Sequence, residues 1–214
     1  MKRFGALFDL DGVLVDSENQ YTIFWDGIER RFPTGIPDYA VAIKGRTLTT
    51  ILDYYPTEEI KRQVVDELYK FEASMPYPLM KGVTELLSSM RSQGWATAIV
   101  TSSDSEKMKR LFKATPELKP FFDVIIDGSM VTRSKPDPQG YLMAAEAIGY
   151  DPTDCFVFED SLQGVAAGRA SGATVVGLAT TFPRQRIEQT GCTDIIVSSL
   201  DQLNTDVLRK LKTI

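Results

Sequence analysis

The sequence predicts an α/β fold, a Rossmann-like parallel sheet flanked by helices, with a small all-helical cap inserted after the first strand. Three observations carry that expectation. Short apolar runs recur at 4–10, 96–100, 122–126, 156–158, 174–176 and 195–197, each of strand length. Helical periodicity at 82–93, 105–113, 138–148 and 162–171 separates the later runs, and strand–helix–strand alternation argues for a parallel sheet covered on both faces. Between the first two runs, from 16 to about 77, the strand signal is lost and helical segments at 18–32, 47–54 and 57–71 replace it.

Each boundary has a local reason. Thr57-Glu58-Glu59, with Pro56 ahead, is a helix start. Hinges are expected at 15–17 and 75–81, where Pro76, Pro78 and Gly82 punctuate the chain. The expected division is therefore a core of 1–16 and 81–214 and a cap of 17–80. At 214 residues, 43% hydrophobic and 25% charged, the chain has room for one substantial core and a smaller appended one.

Charge and composition exclude several classes. A net charge of −5 repels nucleic-acid phosphates unless a basic stripe overrides it. The densest basic stretch, Lys107, Lys109, Arg110 and Lys113, has the spacing of a solvated helix face. No apolar run reaches the roughly 18 residues of a membrane span, and the amino terminus enters a strand directly. A cytoplasmic, monomeric protein without nucleic-acid or membrane partners is expected. Cys155 and Cys192 lack CxxC spacing and read as reduced, buried thiols.

The chain contains no histidine, so any catalysis must use carboxylates, hydroxyls, lysine and metal. Phe8-Asp9-Leu10-Asp11-Gly12 places two carboxylates where the first strand leaves the sheet, at the carboxyl end where open α/β sheets bind ligands. Asp9 could attack phosphorus there, and Asp11 could donate and accept the proton. A Ca²⁺ loop fails, because Val13 and Val15 occupy alternating ligand places and Gly12 stands fourth rather than sixth. A plain turn with solvated aspartates is the competing reading.

Three further strand ends carry similar groups. Thr101-Ser102-Ser103-Asp104 opens a helix and could hold phosphate oxygens, or be only a helix cap. Lys135 lies in Ser134-Lys135-Pro136-Asp137-Pro138, either a fixed cation or a solvated turn lysine. Glu159 and Asp160 follow Phe156-Val157-Phe158 and would repel Asp9 unless a hard cation such as Mg²⁺ sat between them, although acids at a helix start are also common. Four independent coincidences in this order are far less probable than one.

The segments 9–17, 101–103, 135–138 and 159–164 together resemble the haloacid dehalogenase superfamily, in particular its β-phosphoglucomutase-like and sugar-phosphatase group with a helical cap. The resemblance spans essentially the whole chain. It implies Asp9 as the nucleophile of an aspartyl-phosphate, Asp11 as acid/base, and Thr101, Ser102 and Lys135 as phosphate holders. It implies that Asp9, the Asp11 backbone carbonyl, Glu159 and Asp160 arrange Mg²⁺. Phosphoryl transfer suits this set, since it needs positioning and charge neutralisation above all.

Mutase members place a histidine where ungapped counting puts Tyr21, and an arginine where it puts Leu48; Arg46 lies two residues earlier. A phenol loses its proton near pH 10 when unperturbed and cannot replace an imidazole near neutrality. Lys44, Arg46 and Thr47 remain as groups that could reach the far end of a substrate when the cap closes, or a solvated turn. The expectation is an Mg²⁺-dependent phosphatase acting on a small phosphorylated metabolite, a sugar phosphate. A phosphosugar mutase and a non-enzymatic phosphate-binding protein are the alternatives.

Overall fold

The computed structural model describes residues 3–212. Six strands, β1 (Gly5–Phe8), β2 (Ala96–Val100), β3 (Val124–Ile126), β4 (Cys155–Glu159), β5 (Thr174–Leu178) and β6 (Ile195–Val197), form one sheet. Their order is β3-β2-β1-β4-β5-β6 and every pairing is parallel. The order reverses direction between β1 and β4, which opens a crevice beyond their carboxyl ends. Asp9 follows β1, and Glu159 and Asp160 stand at the end of β4, so both acidic segments border that crevice.

The strand residues alternate between two cores, as a period of two requires. Ala6, Phe8, Phe156 and Phe158 join a cluster with Val83, Leu86, Leu87 and Met90 of helix α5 (Val83–Ser92), Met108 and Leu111 of α6 (Ser105–Ala114), and Leu208 of α10 (Thr205–Leu211). Leu7, Cys155 and Val157 join the other, with Tyr141, Ala144 and Ala145 of α7 (Gln139–Ala147), Val165 and Ala167 of α8 (Leu162–Ala170), and Ile187 of α9 (Arg184–Glu188). Burial on both faces explains why these strands read as unbroken apolar runs.

Helices α1 (Glu18–Arg31), α2 (Tyr39–Ala42), α3 (Leu48–Leu52) and α4 (Glu58–Ser74) lie between β1 and α5. They share a separate core of Trp25, Ile28, Tyr39, Ile43, Ile51, Tyr55, Val64 and Leu68. Thr57 caps α4 by accepting from the Ile60 N–H at 3.2 Å, as expected of that helix start. The insert meets the sheet layer through polar contacts near the strand ends. Arg110 pairs with Glu72 at 2.9 Å, Tyr69 donates to Asp104 at 2.8 Å, and Thr50 and Ser134 share a hydroxyl contact at 3.3 Å.

Three short helices escape the sequence reading. α2 and α9 have four and five residues, too few to show a period, and α10 follows an Asn204 cap that accepts from the Asp206 and Val207 N–H groups. The first strand is also shorter than its apolar run, because Leu10 leaves the ladder to accept turn hydrogen bonds from Val13, Leu14 and Val15. Cys155 is buried as expected, but Cys192 is only half-buried; both are free thiols. Among the described residues no helix is long and apolar enough to cross a membrane.

Candidate active site

Lys135 organises the crevice. Its ammonium, 7% exposed, donates to Asp9 Oδ1 at 2.5 Å, to Glu159 Oε1 at 2.5 Å and to the Val100 carbonyl at 3.2 Å. All three N–H donors are thus used, and three strand ends are tied together by one side chain. Burial works against the charged form of Lys135, but Asp9 and Glu159 outweigh it and hold the ammonium above the usual lysine range.

Glu159 is fully buried and both its oxygens are engaged. Oε1 also accepts from the Tyr141 hydroxyl at 2.7 Å. Oε2 accepts from the Asp160 N–H at 3.1 Å and from the Ser161 N–H and hydroxyl at 3.2 and 3.0 Å. The carboxylate fills the space beside Gly164, where any β-carbon would collide with it. Glu159 is therefore the group that fixes Lys135 and the turn carrying Asp160.

Asp9, Glu159 and Asp160 each place a carboxylate oxygen within 4.8 Å of the others. With Lys135 as their one cationic partner among the described residues, the buried group carries two negative charges in excess when ionised. Burial accordingly pushes Asp9 up to about 8, with Lys135 acting downward and Glu159 upward. Asp160 is lifted well above the carboxylate range, by burial first and then by Glu18. Hard oxygen donors around a deficit of two charges fit Mg²⁺. Gly12, at a φ of +75°, leaves room for Asp160, and Thr181 donates to the same carboxylate.

Asp11 faces the cleft with partners on both oxygens. Ser17 donates to Oδ1; Lys107 and Ser103 donate to Oδ2, the latter at 3.1 Å. Lys107 corrects the expectation of a solvated basic face. It is 3% exposed and lies on the side of α6 shared with buried Leu111, while Lys109 and Lys113 are exposed. Its ammonium also sits 4.2 Å above the ring of Tyr21. The Tyr21 hydroxyl donates to Glu72 at 2.9 Å, and burial, with Asp11 and Glu72, holds it above the usual phenol range.

Thr101, Ser102 and Ser103 line the same cleft. Thr101 continues the ladder through its N–H to Ile126, and its hydroxyl accepts from the Ser103 N–H at 3.0 Å. Ser102 donates to the Gly45 carbonyl at 2.8 Å, which joins it to the insert. Lys44 and Arg46 reach the cleft. Lys44 is paired with Glu18 of α1, while the Arg46 Nε donates to the Ala42 carbonyl at 3.4 Å. Thr47 instead caps α3 by accepting from the Thr50 N–H, and lines a small neighbouring recess with Lys135.

Glu18, Lys107, Tyr141 and Thr181 have no place in the sequence-derived site. Glu18, Lys107 and Tyr141 lie inside amphipathic helices, where the period assigns a face but not a neighbour 26 or 96 residues away. The acid at the first position of α1 could have drawn notice, though the helix dipole explains it equally well.

A family model of haloacid dehalogenase-like hydrolases matches residues 5–172, and the chain belongs to that family. The chain is 28% identical over 208 residues to hexitol phosphatase A of Escherichia coli strain K12, covering 95% of this chain and 94% of the relative. It is 30% identical over 217 residues to glycerol-1-phosphate phosphohydrolase 1 of Saccharomyces cerevisiae, covering 95% and 85%. The crystal structure of β-phosphoglucomutase from Clostridium difficile superposes with a TM-score of 0.84 at 19% identity, covering 99% and 98%, which shows a shared fold.

Proposed function

We propose that this chain is an Mg²⁺-dependent phosphatase that hydrolyses monoesters of small hydroxylated metabolites, sugar and polyol phosphates among them, through an aspartyl-phosphate on Asp9. The observation that carries this reading is the buried Lys135 bridge between Asp9 and Glu159, with Asp160 beside them and Asp11 facing the same cleft. The names of the hexitol and glycerol-1-phosphate relatives support the substrate class.

Each residue then has a stated task. An Asp9 oxygen attacks phosphorus, the ester oxygen departs, and the Asp11 carboxyl gives it a proton. Asp11, now ionised, takes a proton from water as that water attacks the phosphorus of the acyl phosphate. Inorganic phosphate leaves and the Asp9 carboxylate is restored. Thr101 holds a phosphate oxygen, and Lys135 turns one of its three protein-bound N–H groups to another as the phosphate enters. Asp9, Asp160 and the Asp11 carbonyl would hold Mg²⁺, while Glu159 orients the set from behind. The bound ion offsets the charge of the carboxylates and the transferring group.

Metal dependence has a signed pH consequence. The folded-state pKa of Asp9 is raised from 3.8 to about 8 without a cation, so its contribution to metal-free stability is fully present below pH 3.8 and is lost as pH rises through about 8. Binding of Mg²⁺ must displace the proton there. The expected result is an Mg²⁺-induced rise in Tm that grows between about pH 6 and pH 8, and turnover abolished by EDTA. Calorimetry showing no Mg²⁺ binding, with turnover unaffected by EDTA, would refute the metal assignment.

The phosphatase reading is tested against phosphosugar mutase activity in one reaction. Tyr21, bonded to Glu72, and Leu48, an aliphatic wall of the cleft, stand where a mutase needs an imidazole and an arginine. With β-glucose 1-phosphate and a bisphosphate primer, the expected product is free phosphate. Glucose 6-phosphate exceeding free phosphate by about tenfold, a difference of 1.4 kcal/mol between competing barriers, would reverse the assignment.

A further inference from the structure

The cleft above the carboxylates is walled by the helical insert. Trp25, Ile43, Leu48, Ile51 and Leu68 supply its apolar part, and Glu18, Lys44 and Arg46 its charged part. Two of the three cations lining it among the described residues, Lys44 and Lys107, are paired with carboxylates. Lys44 pairs with Glu18 and Lys107 with Asp11. Arg46 donates to a backbone carbonyl and lies 5.9 Å over the Tyr54 ring. Glu72, also in the lining, is held by Arg110 and Tyr21.

The Glu18–Lys44 pair matters most because it is partly withdrawn from water, with side-chain exposures of 21% and 11%. At such burial a charge is poorly screened. An incoming second anion would meet a carboxylate and an ammonium already spent on it. A neutral polyol meets something different. An ammonium has three donors and a carboxylate about four acceptor positions, and each uses little of that on the other. The remainder suits adjacent hydroxyls, with the apolar wall for the carbon chain.

We propose that Glu18, by holding Lys44, makes the site select phosphate monoesters whose far end is neutral and hydroxylated, and reject those bearing a second phosphate or a carboxylate. The inference rests on the phosphatase reading of the same cleft. It names Glu18 as a specificity determinant that acts on the substrate partly through Lys44.

Matched pairs test it: glucitol 6-phosphate against 6-phosphogluconate, and fructose 6-phosphate against fructose 1,6-bisphosphate, each with Mg²⁺. The wild type is expected to favour the neutral member by about tenfold or more in kcat/KM, the scale of one like-charge contact at partial burial. Glu18→Gln leaves Lys44 uncommitted and is expected to shrink both ratios by about fivefold or more. A smaller wild-type preference, or ratios unmoved in a folded Glu18→Gln protein, overturns the proposal. Calorimetric affinities of Asp9→Asn for the same four esters separate the two layers. Absent phosphate release with the affinity preference intact removes the phosphatase reading and leaves the selectivity; release without preference removes the selectivity alone.

Discussion

Asp9→Asn is expected to fold and to lose turnover by about four to six orders of magnitude, the scale seen when a covalent nucleophile is removed. The substitution is nearly isosteric, and the amide oxygen can still accept from the Lys135 ammonium in the place of Oδ1. What disappears is a carboxylate able to bond to phosphorus. The buried group around Lys135 then carries one negative charge fewer, so the metal-free variant has no electrostatic reason to melt below the wild type. Two measurements check this: phosphate release from an aryl phosphate, and a thermal melt without metal. Acid quenching during turnover should trap phosphoprotein in the wild type and none in the variant. Activity within about tenfold of wild type in a well-folded Asn variant would rule out the aspartyl-phosphate, since no other effect of the change preserves that much rate.

The elements legible in the sequence are those whose evidence is local. β1, β2, β4 and β5 are buried on both faces, so their apolar runs stand out, and the acids at the ends of β1 and β4 are conspicuous against such neighbours. The four-segment resemblance supplied order as well as content, and the structure brings Asp9, Lys135, Glu159 and Asp160 into one cluster. What stayed hidden depends on distance. Lys107 shares the helix face of Leu111 rather than that of exposed Lys109 and Lys113, and the approach of the turn after β1 makes it a partner of Asp11. Glu159 reads as a metal ligand by type and place and stands within 4.8 Å of Asp9 and Asp160, but no local pattern shows that its Oε1 also accepts from Tyr141, 18 residues earlier, and Lys135, 24 earlier. Thr47 reads as a cleft hydroxyl, but its position one residue before α3 gives it a nearer use as a cap. In each case a local pattern gave the residue type, and tertiary packing supplied the partners.

Lys135→Met is the second substitution with a large expected effect, and it acts on stability as well as rate. The methionine can occupy the volume of the lysine stem, so loss of packing is small; the loss is charge. Asp9 and Glu159 would each give up a buried ionic partner, and Tyr141 and the turn N–H groups would be left as the remaining donors to Glu159. Breaking a buried pair from one side costs about 3–5 kcal/mol, which in a chain of this size lowers Tm by roughly 10 °C. The folded-state pKa of Lys135 is raised above 10.5, so its contribution is fully present below pH 10.5 and is lost only above that. The deficit in Lys135→Met should therefore be largest at mildly alkaline pH and shrink toward acid pH, where protons neutralise the carboxylates, or when Mg²⁺ binds. Mg²⁺ should raise the Tm of the variant more than that of the wild type, because it meets a larger excess of negative charge. Turnover should remain low even at saturating Mg²⁺, since the ion restores charge but not the three directed N–H bonds to Asp9, Glu159 and the Val100 carbonyl. A folded Lys135→Met protein that melts within about 2 °C of wild type in EDTA, less than one kcal/mol on the same scale, would show that Lys135 does not hold the strand ends together.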